Sequence, residues 1–298
     1  MTLYNNADSN KRRSWFLISA FLILVIGLGY FFSLVMDSLA ILIIAVVLAV
    51  SMSFTSYWYS DKIVLKMSNA QKIEKKDNPE LYRIVENLCI TAGLPVPDVY
   101  IINSDQPNAF ATGRDPEHAV VAVTRGLLDR LERVELEGVI AHELSHIGNR
   151  DILIDSMVVV LVGVVAIMSR IFLRVSFFGG GDSDSKKGGA ILLILGIVAA
   201  ILAPLAAKAI KMAVSRKREF LADASGALLT RYPEGLARAL EKISKDEHKL
   251  EAANYSTAHL YISSPFRGKE TKSWFTKLFM SHPPVEDRIK ALKGMEID

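Results

Sequence analysis

A chain of 298 residues has room for a folded domain together with membrane spans. Half of it is apolar (51%), only 22% is charged and the mean hydropathy is +0.28, which is oily for a water-soluble protein. A net charge of +3 is too mild to mark a nucleic-acid binder, and a single cysteine, Cys89, excludes a disulfide within the chain and fits a reducing compartment.

In chain order, Lys11, Arg12 and Arg13 precede an uncharged apolar run over 15–36, and a second such run over 38–59 follows after Asp37 alone. Each is about 22 residues long, and about 20 helical residues cross the hydrocarbon of a bilayer, so the two predict a tight transmembrane hairpin. No small-residue cleavage site follows the first run, which therefore reads as an anchor. Trp15 at one end and Tyr57, Trp58 and Tyr59 at the other suit the headgroup level. A polar block, 61–151, comes next. Leu81, Ile84, Val85 and Leu88 predict a helix over 79–92 that ends at Gly93, with Cys89 as a buried core thiol. Residues 96–102 read as a strand, 108–113 as a short extended piece, and 118–124 as a second strand bounded by Pro116 and Gly126. Leu136, Ile140, Leu144 and Ile147 give a helix over 132–148 one apolar face.

Two further apolar stretches follow. The run 188–207 is about long enough to span, while 152–173 is interrupted by Asp155 and Arg170. With the polar glycine-rich loop 177–189 between them, they predict a second hairpin; a buried helical pair that never spans is the alternative. A second polar block carries helices over 216–231 and 233–249 and a charged loop over 267–273. Neither polar block looks complete alone. The expected organisation is an N-terminal hairpin (1–60), the first part of a domain (61–151), an inserted hairpin (152–214), and the rest of the domain (215–298). Lys62, Lys66, Lys72, Lys75 and Lys76 after the first hairpin, and Lys208, Lys211, Arg216, Lys217 and Arg218 after the second, fall on the same side as Lys11, Arg12 and Arg13. The positive-inside rule places that side, and the polar domain with it, in the cytoplasm.

The chemistry sits in VIAHELSHIGNRD, residues 139–151. Histidines four apart on a helix stack one turn above the other, so His142 and His146 reach one ion. Glu143 falls beside that ion rather than on it, where it can take a proton from an attacking water. A catalytic zinc usually has three protein ligands and an open position. In SRKREFLADASG, Glu219 and Asp223 lie one helical turn apart. They either supply a third ligand and a carboxylate that orients a ligand's far ring nitrogen, or form a solvated face with Arg216 and Arg218 as ion-pair partners.

HELSH, then REFLAD after a hairpin, then SHPPVEDRI (281–289), with NAFATG (108–113) upstream, resembles the HtpX heat-shock membrane endopeptidases, relatives of the CAAX prenyl endoproteases. The resemblance spans nearly the whole chain. It implies a polytopic α-helical membrane protein with a cytoplasmic α+β, gluzincin-like zinc metalloprotease domain. It further implies one Zn2+ per chain held by His142, His146 and Glu219, Glu143 as general base, and quality control of damaged or misassembled membrane proteins. Asn108 resembles a residue of an edge strand that lies along the substrate, where free backbone groups bind an extended peptide. Arg288 matches a family position near the site, as a clamp on a carbonyl or as partner to a carboxylate. His282 resembles a family histidine that steadies the oxyanion; from its residues alone it reads as a surface histidine. His118, His248 and His259 read as ordinary.

Three rivals remain. An intramembrane protease would carry its H-E-x-x-H inside an apolar span, whereas here Glu132, Arg133, Glu135 and Glu137 precede it and Asn149, Arg150 and Asp151 follow it. A transporter would gather ionisable residues among its spans, and only Asp155 and Arg170 are present. A non-catalytic zinc scaffold would not need Glu143. A protease open to the cytoplasm must spare native proteins, so the site is expected in a narrow groove near the bilayer that admits extended segments. The bilayer and unfolded protein substrates are thus the expected partners.

Overall fold

The computed structural model describes residues 3–35, 37–160, 196, 216–248, 250, 257–265 and 283–296. The expected second hairpin beyond residue 160 (residue 196 apart), its glycine-rich loop, the charged loop 267–273 and His282 lie outside the described residues.

Helices α1 (Leu3–Val35) and α2 (Leu39–Trp58) form an antiparallel pair. The reversal is made by Asp37 in the left-handed region (φ 47), and the Ser38 amide donates to the Ser33 carbonyl at 2.9 Å. Both helices are long and apolar enough to cross a membrane. Ile23, Leu34, Leu39, Ile43 and Val47 are all more than half exposed, which a water-soluble core helix would not tolerate. Helix α1 begins well before the apolar run and includes Lys11, Arg12 and Arg13. Its 33 residues measure about 50 Å, longer than the about 30 Å of a bilayer's hydrocarbon, so a helix of this length exceeds what a span requires. Its first turns are not free: Asn10 and Ser14 are buried.

Helix α3 (Ser60–Met67) leads from the hairpin into a four-stranded sheet. The strands are β1 (Ala70–Lys72), β2 (Asp98–Ile102), β3 (Ala109–Gly113) and β4 (Ala119–Thr124), in the order β1-β2-β4-β3. Strands β2 and β4 are parallel and the outer pairs antiparallel. The helix α4 (Pro79–Ala92) starts where Asn78 accepts the Leu81 amide, a cap worth about 1 kcal/mol, and ends at Gly93 with φ 65. Cys89 is buried in it, and burial pushes its thiol up to about 11. Short α5 (Arg125–Arg130) is capped by Thr124. Helix α6 (Arg133–Gly148) opens with a capping box between Glu132 and Glu135.

Helices α7 (Arg216–Thr230) and α8 (Pro233–Lys245) pack on α6, and α9 (Val285–Lys293) packs on α7 and α8. One hydrophobic core runs through them, combining Leu81, Val121, Ile140 and Leu144 with Ala227, Leu240, Ile243 and Leu292. Two glycines permit the close helix crossings. A Cβ at Gly138 would come 2.7 Å from the Leu236 amide nitrogen, and one at Gly226 would come 2.9 Å from that of His142. A side chain at Gly226 would therefore push α7, with Glu219 and Asp223, away from the helix that carries the histidines.

Candidate metal centre and active site

Helix α6 is buried almost throughout, including His142 (1% exposed) and Glu143 (2% exposed). The two imidazoles meet edge to face, with ring centroids 4.7 Å apart and Nε2 atoms 3.2 Å apart. From α7, Glu219 sets Oε1 3.7 Å from His146 Nε2 and Oε2 3.9 Å from His142 Nε2. Two donors each about 2.0–2.1 Å from a tetrahedral ion lie roughly 3.3 Å apart, so the three groups fit a single ion of zinc's size with modest closure. Glu219 is 6% exposed, which removes the solvated-face reading, and Arg218 beside it is buried too.

Both rings are held from behind. His142 Nδ1 lies 2.9 Å from Asp223 Oδ1. His146 Nδ1 lies 3.0 Å from Asp151 Oδ2. Asp151 reaches that position because Arg150 takes a left-handed conformation (φ 56), which reverses the chain directly after α6. Asp151, one of the polar residues that follow the motif, is 1% exposed and points at the His146 ring. Its signal was available, since an acidic residue five positions after the second histidine is within reach once the helix ends. Glu135, one of the charges that precede the motif, is 1% exposed and bonded to Lys242 at 2.7 Å.

Arg288, from α9, is buried and forks onto Asp223, with Nε 2.8 Å from Oδ2 and Nη2 2.7 Å from Oδ1. Its Nη1 donates to the Ile262 carbonyl at 3.0 Å. These contacts pair Arg288 with a carboxylate. Truncating one member of a buried, hydrogen-bonded pair of this kind costs roughly 3–5 kcal/mol, because the other charge is left without compensation.

Asn108 directly precedes β3, which lies at one edge of the sheet. It is fully buried and ends the loop before β3. Its Nδ2 donates to the Ser263 carbonyl at 3.0 Å, its Oδ1 accepts the Ala109 amide, and its backbone pairs with Thr124. It offers no free group to a peptide in this conformation; its polar groups fasten segment 257–265 to the sheet. The 108–124 pairing also turns the backbone groups of Ala109, Ala111 and Gly113 away from β4. The Ala109 carbonyl accepts from Ile262, the Gly113 amide donates to Ser156 Oγ, and the Ala111 backbone favours charge on Glu143.

The electrostatics of the cage residues follow from burial and these pairs. Burial lowers His142 to about 4, with Asp223 only partly offsetting it. Burial also works against charge on His146, but the Asp151 contact and the Glu219 carboxylate outweigh it and push that ring up to about 10. Burial lifts Glu143 to about 7 against the pull of His146. Burial would lift Asp223 as well, yet Arg288 holds it down at about 2. His118 and His248 are exposed and bonded to Asp115 and Asp246, and His259 reaches the Asp155 carbonyl, so none of the three points at the cage.

Residues 75–296 match the model of Peptidase family M48. A Protease HtpX homolog from Syntrophobacter fumaroxidans is 50% identical over 258 residues, covering 85% of this chain and 89% of the relative. One from Pyrococcus furiosus is 47% identical over 285 residues, 95% of each. One from Thermoanaerobacter pseudethanolicus is 43% identical over 299 residues, covering 99% of this chain and 98% of the relative. Among solved structures, the crystal structure of S. mikatae Ste24p is similar in fold, with a TM-score of 0.50 at 18% identity. That likeness covers 94% of this chain and 66% of the Ste24p chain. The transporter and the non-catalytic scaffold fall away with these matches. The chain belongs to Peptidase family M48, among its HtpX-type proteases, and is a metallopeptidase.

Proposed function

We propose that the protein is a multi-pass zinc endopeptidase of the cytoplasmic membrane that cleaves damaged or misassembled membrane proteins on the cytoplasmic side. The convergence of His142, His146 and Glu219 on one point, with Glu143 buried beside them, carries this reading. When bound there, zinc supplies a Lewis acid that polarises the scissile carbonyl and makes water acidic. His142, His146 and Glu219 hold it and leave a position open. Glu143, buried beside the three ligand groups, takes the proton from the attacking water and returns it to the leaving amine. Asp223 and Asp151 keep the two rings aimed, and Arg288 keeps Asp223 ionised. On the family resemblance alone, His282 steadies the developing oxyanion; it comes directly before Pro283, a short step ahead of α9. The domain is gluzincin-like, assembled from 61–151 and 215–298 around an inserted hairpin, 152–214.

Exposed apolar helices α1 and α2 support the membrane setting, and the basic clusters support the orientation. Full-length protein in detergent is expected to cleave casein, to stop with 1,10-phenanthroline and to resume with added zinc. A stably folded soluble domain is expected to be cut far more slowly. Cleavage indifferent to chelator, or equal rates on folded and unfolded protein, would overturn the proposal. For the orientation, a cysteine at Asp37 is expected to react with an impermeant maleimide in intact cells, and one at Lys76 only after lysis. Cys89 is buried and does not interfere. The reverse pattern would place the site on the outer side.

A further inference from the structure

The first turns of α1 end at the back of the metal cage. Asn10 is 3% exposed, and its Nδ2 lies 2.6 Å from Asp151 Oδ1 and 3.0 Å from the Asn149 carbonyl. Both partners are acceptors, so the atom facing them is the amide nitrogen, and its two hydrogens serve one partner each. The other oxygen of Asp151 holds His146. A second donor, Arg218 Nη1, reaches Asp151 Oδ1 at 3.1 Å from the residue next to Glu219. Asn149 is the C-cap of α6, so its carbonyl belongs to a helix end that lacks a partner within the helix. Asn10 thus pins the left-handed reversal at Arg150 that turns Asp151 back beneath His146. The contact is part of a packed seam, because Ile18 and Leu22 of α1 meet Leu153 and Met157 in the helical run 151–160.

We propose that Asn10 is a positioning residue of the metal centre, acting through Asp151 on His146, so that the first apolar helix is part of the site as well as an anchor. A neutral amide suits this task. It fixes the carboxylate's direction by one short hydrogen bond, anchored by a second to the Asn149 carbonyl, while leaving the negative charge to the ring behind the ion. The proposal rests on the zinc reading above.

The test uses full-length protein in detergent, stripped of metal, reloaded with Zn2+ or Co2+, and titrated against a fluorescent chelator. Asn10→Ala is expected to weaken zinc about tenfold, the low end of what loss of an outer-shell partner costs. It is also expected to shift the visible absorption of the Co2+ form. Ser14→Ala is the control. Ser14 is equally buried one turn along, but it donates only to the Asn10 carbonyl, at 3.0 Å, so affinity and spectrum should not change. Asn10→Ala added to Asp151→Ala should have no further effect on affinity, since the two act in series. Should Asn10→Ala fail to fold, Asn10→Ser keeps one donor, and its affinity is expected to fall between the wild type and Asp151→Ala. Wild-type affinity and spectrum in a folded Asn10 variant, or full additivity with Asp151→Ala, would overturn the proposal while leaving the zinc reading intact. Absence of zinc binding by the wild type would overturn both.

Discussion

Glu143→Gln is expected to keep the fold and the zinc and to lose turnover by about 10²–10⁴-fold, the usual contribution of a positioned acid–base group. Gln has nearly the shape of Glu, so the packing around position 143 is kept. Removing a charge from a side chain that is 2% exposed relieves a desolvation cost, so the variant should melt no lower than the wild type. Casein hydrolysis beside zinc content and a thermal melt separates these effects. A folded, zinc-loaded variant with wild-type rate would remove Glu143 from the chemistry.

Glu219→Ala should remove both metal and activity, while the metal-free protein stays folded. Among the described residues the carboxylate is one of three groups placed to grip the ion, and its loss leaves two imidazoles facing each other. The fall in zinc affinity is expected to exceed the ~10–100-fold that loss of an outer-shell partner brings. Metal analysis of the purified variant after dialysis checks it. Full zinc occupancy would mean that the third ligand lies elsewhere. The comparison with Asp223→Asn is informative, because that variant keeps all three ligand side chains while weakening both the brace on His142 and the ion pair with Arg288.

The elements that were easiest to read are those whose own side chains declare a period. Helix α4 has its cap, its apolar face and its glycine stop in one stretch, and the structure returns it over the expected 79–92. Strand β1, with three residues, is too short to show alternation, and α5, with six, too short to show a helical face. Helix α9 carries so many charges in VEDRIKALK that its pattern is faint, yet Leu292 and Arg288 are buried by its neighbours. The start of α1 was missed for a related reason. Polar residues such as Asn10 look like a loop before a span until something polar is found to receive them.

By itself the sequence determined that His142 and His146 share a face with Glu143 beside them, and that two uncharged runs are helices of membrane-crossing length. Both follow from rules that act within a few residues: the helical repeat and the need of a backbone in an apolar setting to satisfy its own hydrogen bonds. Only the tertiary structure decided what surrounds the pair. Glu219 reaches them because glycine at 226 lets α7 approach α6 closely, and Asp151 because the chain reverses at Arg150. Arg288 braces Asp223, and Asn10 braces Asp151, from opposite ends of the chain. No local period encodes such meetings, since they are fixed by which packed surfaces bury the most apolar area while leaving no buried charge without a partner.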